Sequence, residues 1–516
     1  MRSKDILGKQ LIIADGAMGT QLQARGLPPG LAPMLWNVSH PDTVRAVHTA
    51  YLEAGATLIT ANTFSANALT LKNTGLSVAE VVTAGVTLAR EAVERHGTQG
   101  CFVVLDVGPL GELLCPLGQI AFDDAVALFK EQVEAGSAAG ADCILIETMI
   151  DTYELKAAVL AAQEASNLPV LATVAINRQG NLLNGADIAC VCALLEGLGV
   201  DALGLNCGDG LQETLPFIKK LRALSSTPLV FSPNAGLPIM KNGEAVYTTS
   251  IEEFASTLTP LAGEYAAVLG GCCGTTPAHI EALAAACEGI SLRPEVRRRR
   301  CVISSYASSL ALDETALRKG MLLEAGQDEE TTGENITAET AAGREATAGE
   351  ALIVDTRIDA ATNAELAEAL ALGDYEYAAD EALDAQGEGA RIIGVSATLS
   401  GADEVSRRAL HASADDAQAP ALPVIDEAQA LPAMIEAIQA LVNVPLFITA
   451  TGPTAFERAL RVYNGCALIA LDRCAAEDRD TVRALAARYG AVIREAGRES
   501  AQELPQEPAQ QAGRGQ

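Results

Sequence analysis

Short apolar runs separated by longer amphipathic stretches recur across the first 290 residues. The runs at 11–15, 57–62, 102–107, 143–147, 170–175, 202–206, 229–232 and 267–271 read as buried strands. Between most of them apolar positions return with helical spacing, as at 42–54, 78–95, 122–139 and 153–166. Eight such alternations predict an α/β protein whose first domain, 1–292, is a (β/α)8 TIM barrel. A doubly wound open sheet is the alternative, but eight repeats that end together favour closure.

Order is expected again over 351–496. Strands are predicted at 352–355, 391–395, 446–449, 467–471 and 491–493, with helices at 363–372, 375–385, 428–441, 453–462 and 478–489. That is about half of a second barrel. A partial βα array leaves an open sheet edge, so this domain is expected to lie against the first domain or a second subunit. The intervening 293–350 reads as a linker, acidic and flexible from about 324, where Glu, Thr, Gly and Ala dominate. The Gln-, Pro- and Gly-rich tail, 497–516, is expected to be disordered.

Composition narrows the class. Hydrophobic residues make up 49% of the 516 positions and aromatics only 4%, as in an Ala/Leu/Val-rich α/β protein. No apolar run reaches the roughly 18–20 residues of a membrane span, and the charged start leads directly into a strand rather than a signal peptide. The chain is therefore expected to be soluble and cytoplasmic. A formal charge of −30 argues against a nucleic-acid surface, which needs Lys and Arg to neutralise phosphate. The basic run Arg297-Arg298-Arg299-Arg300 falls in the linker and reads as solvated.

Twelve cysteines are too sparse for a disulfide scaffold and should be thiols in a reducing compartment. Most sit in apolar patterns, where a thiol acts as a small hydrophobe. Three differ. Cys207, in Asn206-Cys207-Gly208, and the pair in Gly271-Cys272-Cys273-Gly274 stand at the ends of strands six and eight, beside glycines that permit the backbone to kink. Strand ends of a barrel carry its chemistry. Three thiolates meeting across the mouth can hold one zinc ion and leave its fourth position open, where a substrate thiol would become nucleophilic. His279 is the nearest residue that could close the site instead. Asp15, Asn62, Asp106, Glu147 and Asn206 crowd the same rim.

The ordered motifs of the first 290 residues resemble the homocysteine S-methyltransferase family. They are Asp15-Gly16-Ala17-Met18-Gly19-Thr20, Thr60-Ala61-Asn62-Thr63-Phe64, Val107-Gly108-Pro109, Leu145-Ile146-Glu147-Thr148-Met149, Gly204-Leu205-Asn206-Cys207 and Gly270-Gly271-Cys272-Cys273-Gly274-Thr275. The resemblance implies a zinc-dependent barrel that methylates homocysteine to methionine. It makes Cys207, Cys272 and Cys273 the ligands of one zinc, Asp15 and Glu147 the acceptors of the substrate ammonium, and the backbone at Gly19-Thr20 the neighbour of its carboxylate. Asn206 is counted with the substrate residues; orienting the loops is the other role open to it, as to Asn62 and Asp106. Met34 departs from the family, whose members usually carry an acidic residue there.

The second domain resembles the pterin-binding region that follows this barrel in cobalamin-dependent methionine synthase, through 367–378 and Ala459-Leu460-Arg461-Val462-Tyr463-Asn464-Gly465. Gly394, Ser396, Thr449 and Ala470 replace the Asp and Asn expected at its strand ends. A pterin ring left without those partners would be desolvated without compensation, so folate binding is not expected. No cobalamin-binding module follows in the sequence. The expected donor is therefore a methylated corrinoid protein acting in trans, so cobalamin would come only through a separate partner. An S-methylmethionine- or betaine-type donor, or a non-catalytic thiol- or zinc-binding regulatory protein, are the alternatives. Oligomeric state is left open.

Overall fold

The computed structural model describes residues 7, 10–237, 239–241, 244–292, 301–312, 322–325, 352–399 and 425–494. The arginine run, residues 326–350 of the linker and the tail lie outside them. Eight parallel strands form the first sheet: β1 Ile12–Ile13, β2 Leu58–Thr60, β3 Phe102–Val107, β4 Cys143–Met149, β5 Val170–Val174, β6 Ala202–Cys207, β7 Leu229–Pro233 and β8 Val268–Leu269. Their order is β1-β8-β7-β6-β5-β4-β3-β2. A bridge between Ala14 and Leu58 closes the ring, with the Thr57 N–H donating to Ile13 O at 2.8 Å and the Asp15 N–H to Leu58 O at 3.0 Å. The predicted TIM barrel forms, and the open-sheet alternative does not.

The two-residue period of a strand decides what faces the centre. Ile12, Ala14, Leu58, Phe102, Val104, Cys143, Leu145, Leu171, Ala202, Val230 and Val268 pack together inside the barrel. Their alternates, such as Val103, Leu105, Ile144, Ile146, Leu203 and Leu205, belong to the core shared with the helices. Continuing the inner series along each strand gives Asp106 on β3, Glu147 on β4 and, past Gly204, Asn206 on β6. The polar layer at the mouth thus follows from alternation. Gly204 belongs to the same series, and a Cβ there would lie 1.8 Å from Val230 O.

Helices α1 Pro41–Glu53, α2 Val78–His96, α3 Phe122–Ala138, α4 Thr152–Ala165, α5 Ile188–Leu198, α6 Leu211–Leu224, α7 Ile251–Leu258 and α8 Pro277–Ala286 surround the strands. Local signals set their ends. Ser77 and Glu80 form a capping box at the start of α2 and Gly97 ends it in the left-handed region, a pairing that contributes about 1 kcal/mol at the N-terminus. Between these ends Val78, Val81, Val82, Val86, Ala89 and Val93 turn one buried face inward.

The second sheet is open, parallel and in sequence order: β9 Leu322–Ala325, β10 Leu352–Asp359, β11 Ile393–Ser396, β12 Leu446–Thr449, β13 Leu468–Ala470 and β14 Val492–Arg494. Helices α9 Ala364–Leu372, α10 Glu376–Gly387, α11 Glu427–Leu441, α12 Pro453–Val462 and α13 Arg479–Tyr489 accompany it. Two features differ from the sequence expectation. β9 enters the stretch expected to be flexible, because Leu322–Ala325 finds a ladder partner in Leu352–Asp355. A hairpin, Cys301–Ser304 with Ser309–Leu312, lies within the expected linker. Its Ile303, Leu310 and Leu312 pack on Val354, Ile392, Phe447 and Leu468, covering apolar side chains the half-barrel would otherwise expose.

The second domain docks on α3, α4 and α5 of the barrel. Lys156 on α4 is fully buried and donates at 2.6 Å to both Leu460 O and Tyr463 O, at the C-terminus of α12. A cation is favourable there, because a helix end presents unpaired carbonyls. Burial pushes this ammonium down to about 7. Around it Arg461 pairs with Asp123 (2.7 Å) and Glu164 (2.6 Å), and Arg488 with Glu164 (2.9 Å).

Candidate metal and substrate site

By alternation alone Cys207 would face the helix layer, since Asn206 faces the centre. Its backbone instead adopts a left-handed φ of 55°, and Gly208 follows at 75°. For a residue with a Cβ this conformation costs about 1 kcal/mol or more, and such strain concentrates at functional sites. The loop after β8 meets it. The Cys272 N–H donates to Pro233 O at 2.9 Å, and Cys273 O accepts from the Ala235 N–H at 3.0 Å. Thr275 fastens that loop to the one after β1, its Oγ1 accepting from the Ala17 N–H at 3.1 Å and donating to Cys272 O at 2.7 Å. The outcome is a single cluster: the Cys207, Cys272 and Cys273 sulfurs lie within 4.8 Å of one another, each thiol partly buried.

Hydrogen bonds from Cys272 and Cys273 hold the Cys207 thiol down at about 3, as a thiolate. The same bonds push Cys272 well up, and the one with Cys207 does most to raise Cys273 to about 12. Soft sulfur donors at this spacing, with no fourth His, Cys, Asp or Glu in the group among the described residues, fit a zinc ion with one open position. His279 is not part of the group. Its Nδ1 caps the start of α8 through Thr276, and its ring stands edge-on to Phe254.

Asn206 ties the mouth together. Its Oδ1 accepts from the Thr148 N–H and Thr173 Oγ1, both at 2.9 Å, and its Nδ2 donates to Thr148 Oγ1 at 2.7 Å and Glu147 Oε2 at 3.1 Å. Thr148 also has a positive φ, of 60°, rare for a β-branched residue. Asp15 is buried and accepts from the Thr60 N–H and Thr60 Oγ1, each at 2.8 Å. Burial raises Asp15 to about 7 despite those bonds. Burial, then the charges of Cys207 and Asp15, raises Glu147 to about 8. Burial next to Glu147 and Asp15 also raises Asp106 well above the carboxylate range. None of the three is paired with a basic side chain among the described residues.

Gly19 and Thr20 open a short helix, Gly19–Gln23, and the Thr20 Oγ1 is buried without a hydrogen-bond partner. Asn62 orients loops instead, bonding Pro33 O and Asn37 Oδ1. Met34 is buried, and its sulfur accepts from Ser65 Oγ at 3.4 Å. Sequence reasoning missed two neighbours of the sulfurs. Tyr247 lies over Gly274, where a Cβ would come within 2.1 Å of its ring, and its hydroxyl is hydrogen-bonded to Cys273. Asn234 hydrogen-bonds Cys207, donates to Gly208 O at 2.9 Å, and keeps a buried, partnerless Oδ1. Both stand in the segment after β7, which carries no motif of its own.

A second cavity, of about 850 Å³, lies at the strand ends of the other sheet. Its three arginines are paired internally. Arg357 meets Asp355, Arg473 bridges Asp359 and Ser396, and Arg494 meets Asp472 while stacking on Phe447.

These features coincide with known sequences. The profile described as homocysteine S-methyltransferase matches residues 12–287. The chain belongs to the homocysteine S-methyltransferase family. Methionine synthase of Mycobacterium tuberculosis (strain ATCC 25618 / H37Rv) is 35% identical over 309 residues, which is 56% of this chain and 26% of that protein. Methionine synthase of Mycobacterium leprae (strain TN) is 34% identical over 300 residues, 55% of this chain and 25% of that one. The chain spans about a quarter of the length of these curated relatives. Among solved structures, the metallated homocysteine methyltransferase MmuM from Escherichia coli is 28% identical, with a TM-score of 0.46 over 54% of this chain and 96% of that one. No described helix is long and apolar enough to cross a membrane.

Proposed function

We propose that this chain transfers a methyl group to the thiol of homocysteine, giving methionine, with one zinc ion held by Cys207, Cys272 and Cys273. The carrying observation is the sulfur trio within 4.8 Å, at the mouth of a barrel of this family. A zinc ion bound there would act as a Lewis acid that keeps the incoming thiol, whose ordinary pKa is about 8.5, deprotonated at neutral pH. The protein's own groups position the substrate. Asp15 and Glu147 lack an internal cation and would accept the ammonium. The helix start at Gly19-Thr20, with its free Thr20 hydroxyl, suits the carboxylate. The Asn206 network fixes Glu147 relative to the cysteine loops.

The methyl donor we propose is a methylated corrinoid protein in trans. Supporting this, the exposed large apolar side chains Leu31, Phe64, Leu113, Leu117, Leu183 and Ile239 all lie on segments that follow barrel strands and so surround the mouth. Exposed apolar side chains gathered on one rim suit a macromolecular contact. The test is zinc-loaded protein with homocysteine and, in turn, methylcobalamin, S-methylmethionine, betaine and methyltetrahydrofolate. Methionine from methylcobalamin alone is expected. Turnover with a small sulfonium or betaine donor would replace the corrinoid reading, and no methionine from any donor would favour a thiol-binding regulatory protein.

A further inference from the structure

Resting on the homocysteine reading, we propose that Asp106 is a third carboxyl acceptor for the substrate ammonium, making the pocket selective for thiols that also carry an amine. Asp106 follows Phe102 and Val104 in the inward series of β3 and is only 5% exposed. Its backbone is held from both sides: the N–H donates to Thr63 Oγ1 at 3.1 Å, and the carbonyl accepts from Thr63 Oγ1 at 2.8 Å and Gln132 Nε2 at 3.0 Å. The strand is therefore fixed, yet the side-chain Oδ1 is buried with no hydrogen-bond partner. The other two carboxyls at the mouth differ. Asp15 takes two bonds from Thr60 and Glu147 takes one from Asn206.

A buried acceptor without a donor costs roughly 1–3 kcal/mol, and the charges acting on Asp106 are two further carboxyls. No donor among the described residues meets this oxygen; a cation brought by the ligand would. An ammonium offers three N–H donors, and three carboxyls on one ring of strand ends can accept them. Asp106 stands apart from the sulfur group, so its contribution falls on the amino end of the substrate and not on the metal.

The test compares wild type, Asp106→Asn and Asp106→Ala as zinc-loaded full chains. Calorimetry would measure binding of L-homocysteine and of 4-mercaptobutanoate, which keeps the thiol and carboxylate and lacks the amine. Both variants are expected to lose homocysteine affinity by about 10–100-fold, with 4-mercaptobutanoate binding unchanged or tighter and zinc content intact. The KM for homocysteine should rise by a similar factor with a smaller change in kcat. Unchanged discrimination between the two thiols, or equal losses for both, would assign Asp106 a purely structural role. A wild-type chain that binds neither thiol would overturn the homocysteine reading and this proposal with it.

Discussion

The chain presents two sets of strand ends, and they treat polar groups in opposite ways. At the barrel mouth Asp15 and Asp106 are buried and Glu147 partly buried with no cation among the described residues, Thr20 Oγ1, Asp106 Oδ1 and Asn234 Oδ1 lack partners, and Cys207 and Thr148 hold left-handed backbones. At the ends of the second sheet Arg357, Arg473 and Arg494 each meet a carboxylate of the same chain. Both places are where an α/β sheet offers a ligand pocket. Only the first keeps unspent hydrogen-bonding capacity and strain, which a ligand can relieve. A pocket that satisfies itself has less to offer. The second domain instead contributes an interface, built around buried Lys156.

The largest effect should come from breaking the sulfur trio. Cys207→Ser is expected to lower bound zinc from about one per chain to near zero and methionine formation to background, measured by metal analysis and product assay. Loss of methyl transfer with full zinc retention would move the metal elsewhere. The metal-free trio also sharpens the contrast through pH. Cys272 and Cys273 are pushed up by the hydrogen bonds within the trio, so metal binding must release protons from them and affinity should rise with pH between about 5 and 8. Competition with a chelator across that range measures it, and a flat profile would count against the assignment of charge.

Glu147→Gln should separate function from stability. Because the folded-state value of Glu147 lies near 8 rather than 4.5, its stabilising share is complete below about 4.5 and is lost as pH rises through 8. At pH 9 the variant should therefore resist denaturant better than wild type, by on the order of 1–2 kcal/mol, with the gap closing toward pH 4.5. Its KM for homocysteine should meanwhile rise about 10–100-fold. Lys156→Ala leaves Leu460 O without a donor and Tyr463 O with only the Gly465 N–H, and should weaken domain docking by roughly 1–3 kcal/mol, seen as an earlier proteolytic cut between the domains with zinc content unchanged. Smallest of all, Arg473→Ala should shift stability by about 1 kcal/mol or less, since that guanidinium is 35% exposed. It should leave homocysteine kinetics alone; a marked change there would mean the two sets of strand ends communicate.

Much of this was legible in the residues. Apolar runs and helical periodicity are local properties, so the strands, most helix limits and the eightfold count could be read directly, as at 122–139 against Phe122–Ala138. Cysteines beside glycine at two strand ends marked the sulfur group. The hairpin at Cys301–Ser304 was not legible, because its reason to form is an apolar face made by Val354, Ile392, Phe447 and Leu468, all more than 40 residues further along. Asn234 and Tyr247 were missed because their proximity to sulfur depends on where a loop folds back.

What the sequence determined by itself was the alternation that turns Asp106, Glu147 and Asn206 inward, and the flexibility that glycine gives to the cysteine loops. Tertiary structure alone decided that Cys207 meets Cys272, 65 positions further on, that Lys156 caps another domain's helix, and which polar atoms are left without partners. The division has a physical cause. Side-chain direction is fixed by neighbours along the chain, whereas ring closure and hydrogen-bond satisfaction depend on groups that only folding brings into reach.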